Sequence, residues 1–190
     1  MNVKTVMDFM ELTGRLKHLK RRGWEMKNTH DPETISGHMY RMATLCFLVD
    51  PNSTKLDKLK LVEMALIHDL AECIVGDITP HCGISPEQKH KMEDDAMVKI
   101  CENLGERGVE MLKLFREYEE QKSPEAQYIK DLDIIDLLMQ AYEYEKRDKN
   151  PGHYQEFFTS QEGKIRNPFI KDILREIESQ RKALNNKNDS

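Results

Sequence analysis

The run Ala65–Asp77, "ALIHDLAECIVGD", sets His68, Asp69, Glu72 and Asp77 into an otherwise apolar segment. Burying ionisable groups costs several kcal/mol unless something pairs with them, and a metal ion is one such partner. At helical spacing His68 and Glu72 are four apart and Asp69 and Glu72 three apart, so all three converge on one side. Neutral imidazole with carboxylates suits a divalent ion such as Mn²⁺, Co²⁺, Fe²⁺, Mg²⁺ or Zn²⁺. A plain i,i+4 hydrogen-bonded pair fits the same spacing, so the rest of the chain has to decide.

On both sides of this run the apolar residues recur at helical intervals and strand signals are nearly absent. Val6, Phe9, Met10, Leu12, Leu16 and Leu19 predict a first helix from Val3 to about Leu19. Gly23 and Pro32 punctuate the next stretch, which carries the chain's one tryptophan, Trp24, in an irregular setting. Ile35, Met39, Met42, Cys46 and Val49 form a stripe on a second helix, with His38 beside it. Ser53 or Thr54 is placed to cap a third helix running to about Val75. Ser85 and Pro86 open a fourth, a short helix passes through Phe115 and Tyr118, and Ser123-Pro124 starts a long one. The reading is a single all-α globular domain over residues 1–184, with a frayed polar tail at 185–190.

A chain of 190 residues buries a real core without staples. The formal charge of −5 argues against a DNA or RNA polymer as ligand, since that task needs a basic face. One local basic cluster, Arg15 to Arg22, is sized for a phosphate group rather than a duplex. The four cysteines make no CxxC pair, and there is neither a leader-like segment nor an apolar run near eighteen residues. The expectation is a reduced, cytoplasmic, membrane-free protein.

Two further features bear on the opening run. His38 lies in "SGHMYRMA", where small residues let another element approach closely. Downstream, "KDLDIIDLLMQA" carries Asp131, Asp133 and Asp136 in an apolar helical segment, and periodicity leaves open which of them points inward. The order His…His-Asp…Asp resembles the HD superfamily of metal-dependent phosphohydrolases, mapping onto His38, His68-Asp69 and Asp133. "HDLAECIVGDITP", with a Gly-Trp pair upstream and "PETISGHMYRMA", resembles more narrowly the HD-domain 5′-deoxynucleotidases, above all their eukaryotic branch. The similarity runs from about Leu12 to Phe169.

The resemblance implies a helical HD fold, a homodimer, and hydrolysis of deoxynucleoside 5′-monophosphates to deoxynucleoside and phosphate. It implies His38, His68, Asp69 and Asp133 as ligands of a divalent ion (Co²⁺, Mn²⁺ or Mg²⁺, with Zn²⁺ or Fe²⁺ also suited). Glu72 becomes the acid/base, and Asp77 either a catalytic and sugar-side residue or, with Glu72, a ligand of a second ion. Trp24 is implied at the 2′ carbon of the sugar, with Ile78 nearby. Two positions depart from the family pattern. Gly23 precedes Trp24 where bacterial members have Arg, which leaves the phosphate-binding arginine open between Arg21 and Arg22. Gly37 precedes His38 where an acid is usual. The competing readings are another HD-type nucleotide phosphohydrolase or phosphodiesterase, and a helical binding module with a structural metal.

Overall fold

A computed structural model describes residues 2–50 and 54–188, with side chains to residue 184. The chain divides into two compact units, Met1–Ala126 and Gln127–Ser190. The described residues are helical and contain no strand, which bears out the all-α expectation. None of their helices is long and apolar enough to cross a membrane.

The first unit opens with α1, Val3–Gly14, capped where Asn2 Oδ1 accepts from the Thr5 amide at 2.9 Å. The predicted continuation to Leu19 does not occur. The chain tightens into a 3₁₀ turn at Arg15–Lys17, which drives Leu16 into the core. An antiparallel bridge between Lys20 and Thr34 then folds the segment back on itself. It is flanked by bonds from the Arg21 amide to the Glu33 carbonyl (3.1 Å) and from the Ile35 amide to the Leu19 carbonyl (2.9 Å). Inside this bracket sits the short helix α2, Arg22–Met26, so Trp24 is helical rather than irregular. α3, Ile35–Leu45, starts where Thr34 Oγ1 accepts from the Gly37 amide, and the expected stripe is buried throughout. Its last members, Cys46 and Val49, lie in and after a 3₁₀ turn beyond the helix, which ends short of the predicted limit before Pro51.

α4, Lys58–Ile67, is capped by Asp57, whose Oδ1 accepts from the Leu59 and Lys60 amides at 3.0 and 3.2 Å. Ser53, one predicted cap, lies outside the described residues. Thr54, the other, accepts from the Leu56 amide two residues short of the helix. The helix also ends earlier than predicted. After Ile67 come turns held by i→i+3 bonds (Leu70 to Ile67, Glu72 to Asp69, Cys73 to Leu70), then the single turn α5, Glu72–Val75. Gly76, at φ 77°, closes it.

α6, Pro86–Cys101, begins with a full capping box between Ser85 and Gln88. α7, Glu106–Glu120, is longer than the short helix expected around Phe115 and Tyr118. Leu16, Ile35, Met39, Leu70, Met97 and Phe115 belong to one buried cluster that ties these helices together. Where α7 crosses the end of α6, a Cβ on Gly108 would collide with the Cys101 carbonyl oxygen and lie 3.0 Å from its carbon. Gly108→Ala is therefore expected to destabilise by about 1–3 kcal/mol, the usual cost of overpacking. An unchanged urea midpoint would show that the two helices part without penalty.

The second unit takes most of α8, Pro124–Arg147, together with α9, Gln155–Gln161, and α10, Pro168–Asn188. α10 continues past Leu184 into the stretch expected to be a frayed tail, and residues 189–190 lie outside the described part. Glu145, fully buried on α8, takes two bonds from the Arg181 guanidinium (2.6 and 2.8 Å) and one from the Tyr154 amide. Asp131 Oδ2 accepts from the Arg166 and Asn167 amides at 2.9 and 2.6 Å, where the chain enters α10.

Candidate active site

The tightened turns after α4 set up the site. In an unbroken helix the Ala65 carbonyl would be kept for a backbone amide; here it accepts from His68 Nδ1 at 2.9 Å. A carbonyl only accepts, so Nδ1 carries the proton and Nε2 presents its lone pair. That Nε2 is buried, finds no hydrogen bond among the described residues, and lies 3.2 Å from Asp69 Oδ2. His38, wholly buried on α3, brings its Nε2 to 3.7 Å from the same oxygen. The two rings meet edge to face at 5.4 Å, and Tyr118 of α7 packs behind His68 at 5.2 Å.

Ligand atoms of His38, His68 and Asp69 all lie within 4.8 Å of one another. Ligand atoms this close can share one cation, and a nitrogen–oxygen donor set suits a divalent ion. Burial pushes the Asp69 carboxyl up, but His68, His38 and the Arg21 guanidinium outweigh it and hold the group well below the usual carboxylate range. Metal binding requires that carboxylate ionised and the ring nitrogens deprotonated, and a bound ion would supply the positive charge that the rings then give up. The residues present therefore fit a metal.

Glu72 stands one 3₁₀ turn beyond Asp69 and is 5% exposed. Burial, then the charges of Asp69 and Asp77, raise its carboxyl well above the ordinary range, against the pull of Arg21 and Lys89. Its Oε2 has no hydrogen bond among the described residues. Asp77 accepts from the Arg22 amide at 2.7 Å, and Ile78 beside it is buried.

The two candidate arginines separate. Arg21 lies mostly buried, with Nη1 3.6 Å from Asp69 Oδ2 and Nε 3.7 Å from Glu33 Oε1. Arg22 meets Asp77 through its backbone, and its residue is exposed. Trp24 is 1% exposed and donates its indole N–H to Glu33 Oε1 at 2.9 Å. Of the three downstream acids, Asp131 and Asp136 are buried. Asp133 is partly exposed, with Oδ2 2.9 Å from Lys130 Nζ. Asp131 is occupied with the α10 entry.

Sequence reasoning missed three polar residues of this region: Glu33, Lys89 and Glu93. Glu93 carried a readable signal, because it sits four and seven residues before Met97 and Ile100 on the buried stripe of α6. Burial, opposed by Lys89 and aided by Glu119 and Asp69, pushes its carboxyl up to about 7. Glu33 could not be read this way, since its partners are set by the Lys20–Thr34 bridge.

Residues 13–177 match the family described as HD domain. The 5′-deoxynucleotidase HDDC2 of Danio rerio is 43% identical over 93% of this chain and 88% of its own length. The protein of the same name from Homo sapiens is 41% identical over 94% and 87%. The 5′-deoxynucleotidase hdd1 of Schizosaccharomyces pombe is 37% identical over 95% and 92%. Among solved structures, the PH0347 protein from Pyrococcus horikoshii OT3 superposes with a TM-score of 0.76 at 30% identity, covering 90% of this chain and 97% of that one. With His38, His68 and Asp69 gathered as described and the match spanning most of its length, this chain belongs to the HD domain family.

Proposed function

We propose that this protein is a metal-dependent 5′-deoxynucleotidase, hydrolysing deoxynucleoside 5′-monophosphates to deoxynucleoside and phosphate. The observation that carries it is the buried His38–His68–Asp69 cluster with an acid, Glu72, one turn away. Relatives named 5′-deoxynucleotidase at 37–43% identity support the substrate class. On this reading His38, His68, Asp69 and Asp133 hold a divalent ion, Co²⁺ or Mn²⁺ in preference to Mg²⁺. When bound, such an ion acidifies water and offsets charge on phosphoryl oxygens.

The chain's own residues do the rest. Glu72, whose burial favours the protonated form, is poised to give a proton to the leaving oxygen at its unengaged Oε2, and only once ionised can it take one from water. Arg21, held between Asp69 and Glu33, is the better placed of the two arginines to neutralise phosphate. Asp77, fixed by the Arg22 amide, faces the sugar with Ile78, or joins Glu72 around a second ion. A homodimer follows from the family resemblance. A cytoplasmic location is supported by four free thiols, three of them buried.

The test is a panel of deoxy- and ribonucleoside mono- and triphosphates with each divalent ion. Deoxynucleoside monophosphates should be cleaved fastest; preferential cleavage of triphosphates or cyclic diesters would overturn the substrate assignment. Trp24 is proposed as the wall at the 2′ carbon, where a ribose hydroxyl would be desolvated without a partner. Trp24→Ala should then narrow a dAMP/AMP preference of roughly 10- to 100-fold in kcat/KM. An unchanged ratio, with KM raised for both, would make Trp24 only the support of Glu33 and Arg21.

A further inference from the structure

We infer that Lys89, on the second turn of α6, is a second phosphate-contacting cation of the site, and that Glu93 is the positioning residue that aims it. The inference rests on the reading of the site as a phosphomonoesterase centre. α6 packs against α5, which begins with Glu72. Lys89 Nζ lies 3.5 Å from Glu93 Oε1, one helical turn on, and that carboxylate is itself buried. Burial alone would lower the lysine's affinity for its proton. Glu93 first, then Glu72, Asp69 and Asp77, reverse this and keep it a firm cation. Glu93 in turn senses Asp69 as well as Lys89. The pair therefore lies within electrostatic reach of the site's acids and is more than a solvated rung on a helix.

Charge balance supplies the reason. Asp69 and Asp77 are acidic neighbours whose charge a bound divalent ion would offset, and Glu72 favours its protonated form. A phosphomonoester brings about two further negative charges near neutral pH. Arg21 is committed to Asp69 and Glu33, so a single guanidinium must serve two acids and the substrate. A lysine on a flexible stem, 38% exposed and tethered at one side, can swing its ammonium from Glu93 to an incoming phosphate. Four residues apart on one face, Lys89 and Glu93 need no rearrangement of α6 for this.

The test uses the full-length, Mn²⁺-loaded protein and inorganic phosphate as probe. Lys89→Gln should weaken phosphate binding by calorimetry roughly 10- to 100-fold, as expected for a lost charge-assisted contact. KM for a deoxynucleoside monophosphate should rise in step, with bound Mn²⁺ and melting temperature near wild type. Lys89→Arg should recover most of the affinity. Glu93→Gln should raise KM more than it lowers kcat, and should leave metal content intact. Phosphate affinity within twofold of wild type in Lys89→Gln would overturn the inference, as would a wild-type protein that binds no phosphate. Lys89-dependent phosphate binding without nucleotide turnover would uphold it and sink the substrate assignment instead.

Discussion

Glu72→Gln is expected to fold, retain its metal and lose roughly 10²–10⁴-fold in kcat, the usual contribution of a positioned acid/base. That loss corresponds to about 3–5 kcal/mol of transition-state stabilisation. Glutamine keeps the volume and one acceptor oxygen, so the packing around this 5%-exposed side chain survives. What disappears is a proton that the wild-type carboxyl holds more tightly than usual because it is buried beside Asp69 and Asp77. Because the wild-type carboxyl already holds its proton, the neutral glutamine leaves the charge of the site unchanged, and the variant should melt no lower than wild type. Near-normal kcat would remove Glu72 from the chemistry. Loss of the metal along with activity would move it into the ligand set.

Removing the metal should abolish turnover outright, by chelation or by His68→Ala, but the two should differ in what restores it. Co²⁺ or Mn²⁺ added to the chelated wild type should return activity, because the donor set is intact and selects weakly among such ions. The variant should not recover at matched ion concentrations. It has lost a donor whose Nδ1 is anchored on the Ala65 carbonyl and whose ring packs between His38 and Tyr118. Both samples should melt earlier than the loaded protein. An ion at about 100 times its dissociation constant contributes about 2.7 kcal/mol to the folded state. Full turnover in an exhaustively stripped sample would end the metal-dependent reading.

The helical class and the buried His38 stripe were legible because both are periodic, and burial at Ile35, Met39, Met42 and Cys46 follows the pattern directly. His68 and Asp69 were legible as ionisable intruders in an apolar run. The end of α4 was not, because a change from i→i+4 to i→i+3 bonding leaves the hydrophobic sequence unaltered. Its cap was misplaced for a related reason. Thr54 and Asp57 are equally eligible by residue type, and only the amides of Leu59 and Lys60 decide between them. Arg21 could not be told from Arg22 in sequence. Their separation depends on the Lys20–Thr34 bridge, a contact across fourteen residues with no local signature.

The tightened turn between α4 and α5 carries a warning for anyone wishing to engineer a hardier variant. Straightening this segment into regular α-helix is the obvious stabilising move, since it restores well-aligned backbone bonds. Three residues of α-helix advance about 300° around the axis, whereas three residues of 3₁₀-helix complete about a full circle. Regularisation would swing Glu72 by roughly 60° away from Asp69 and shorten their axial offset by about 1.5 Å. Such a variant would gain thermal resilience while its acid pointed at the wrong wall, an instance of thermodynamic comfort traded against aim.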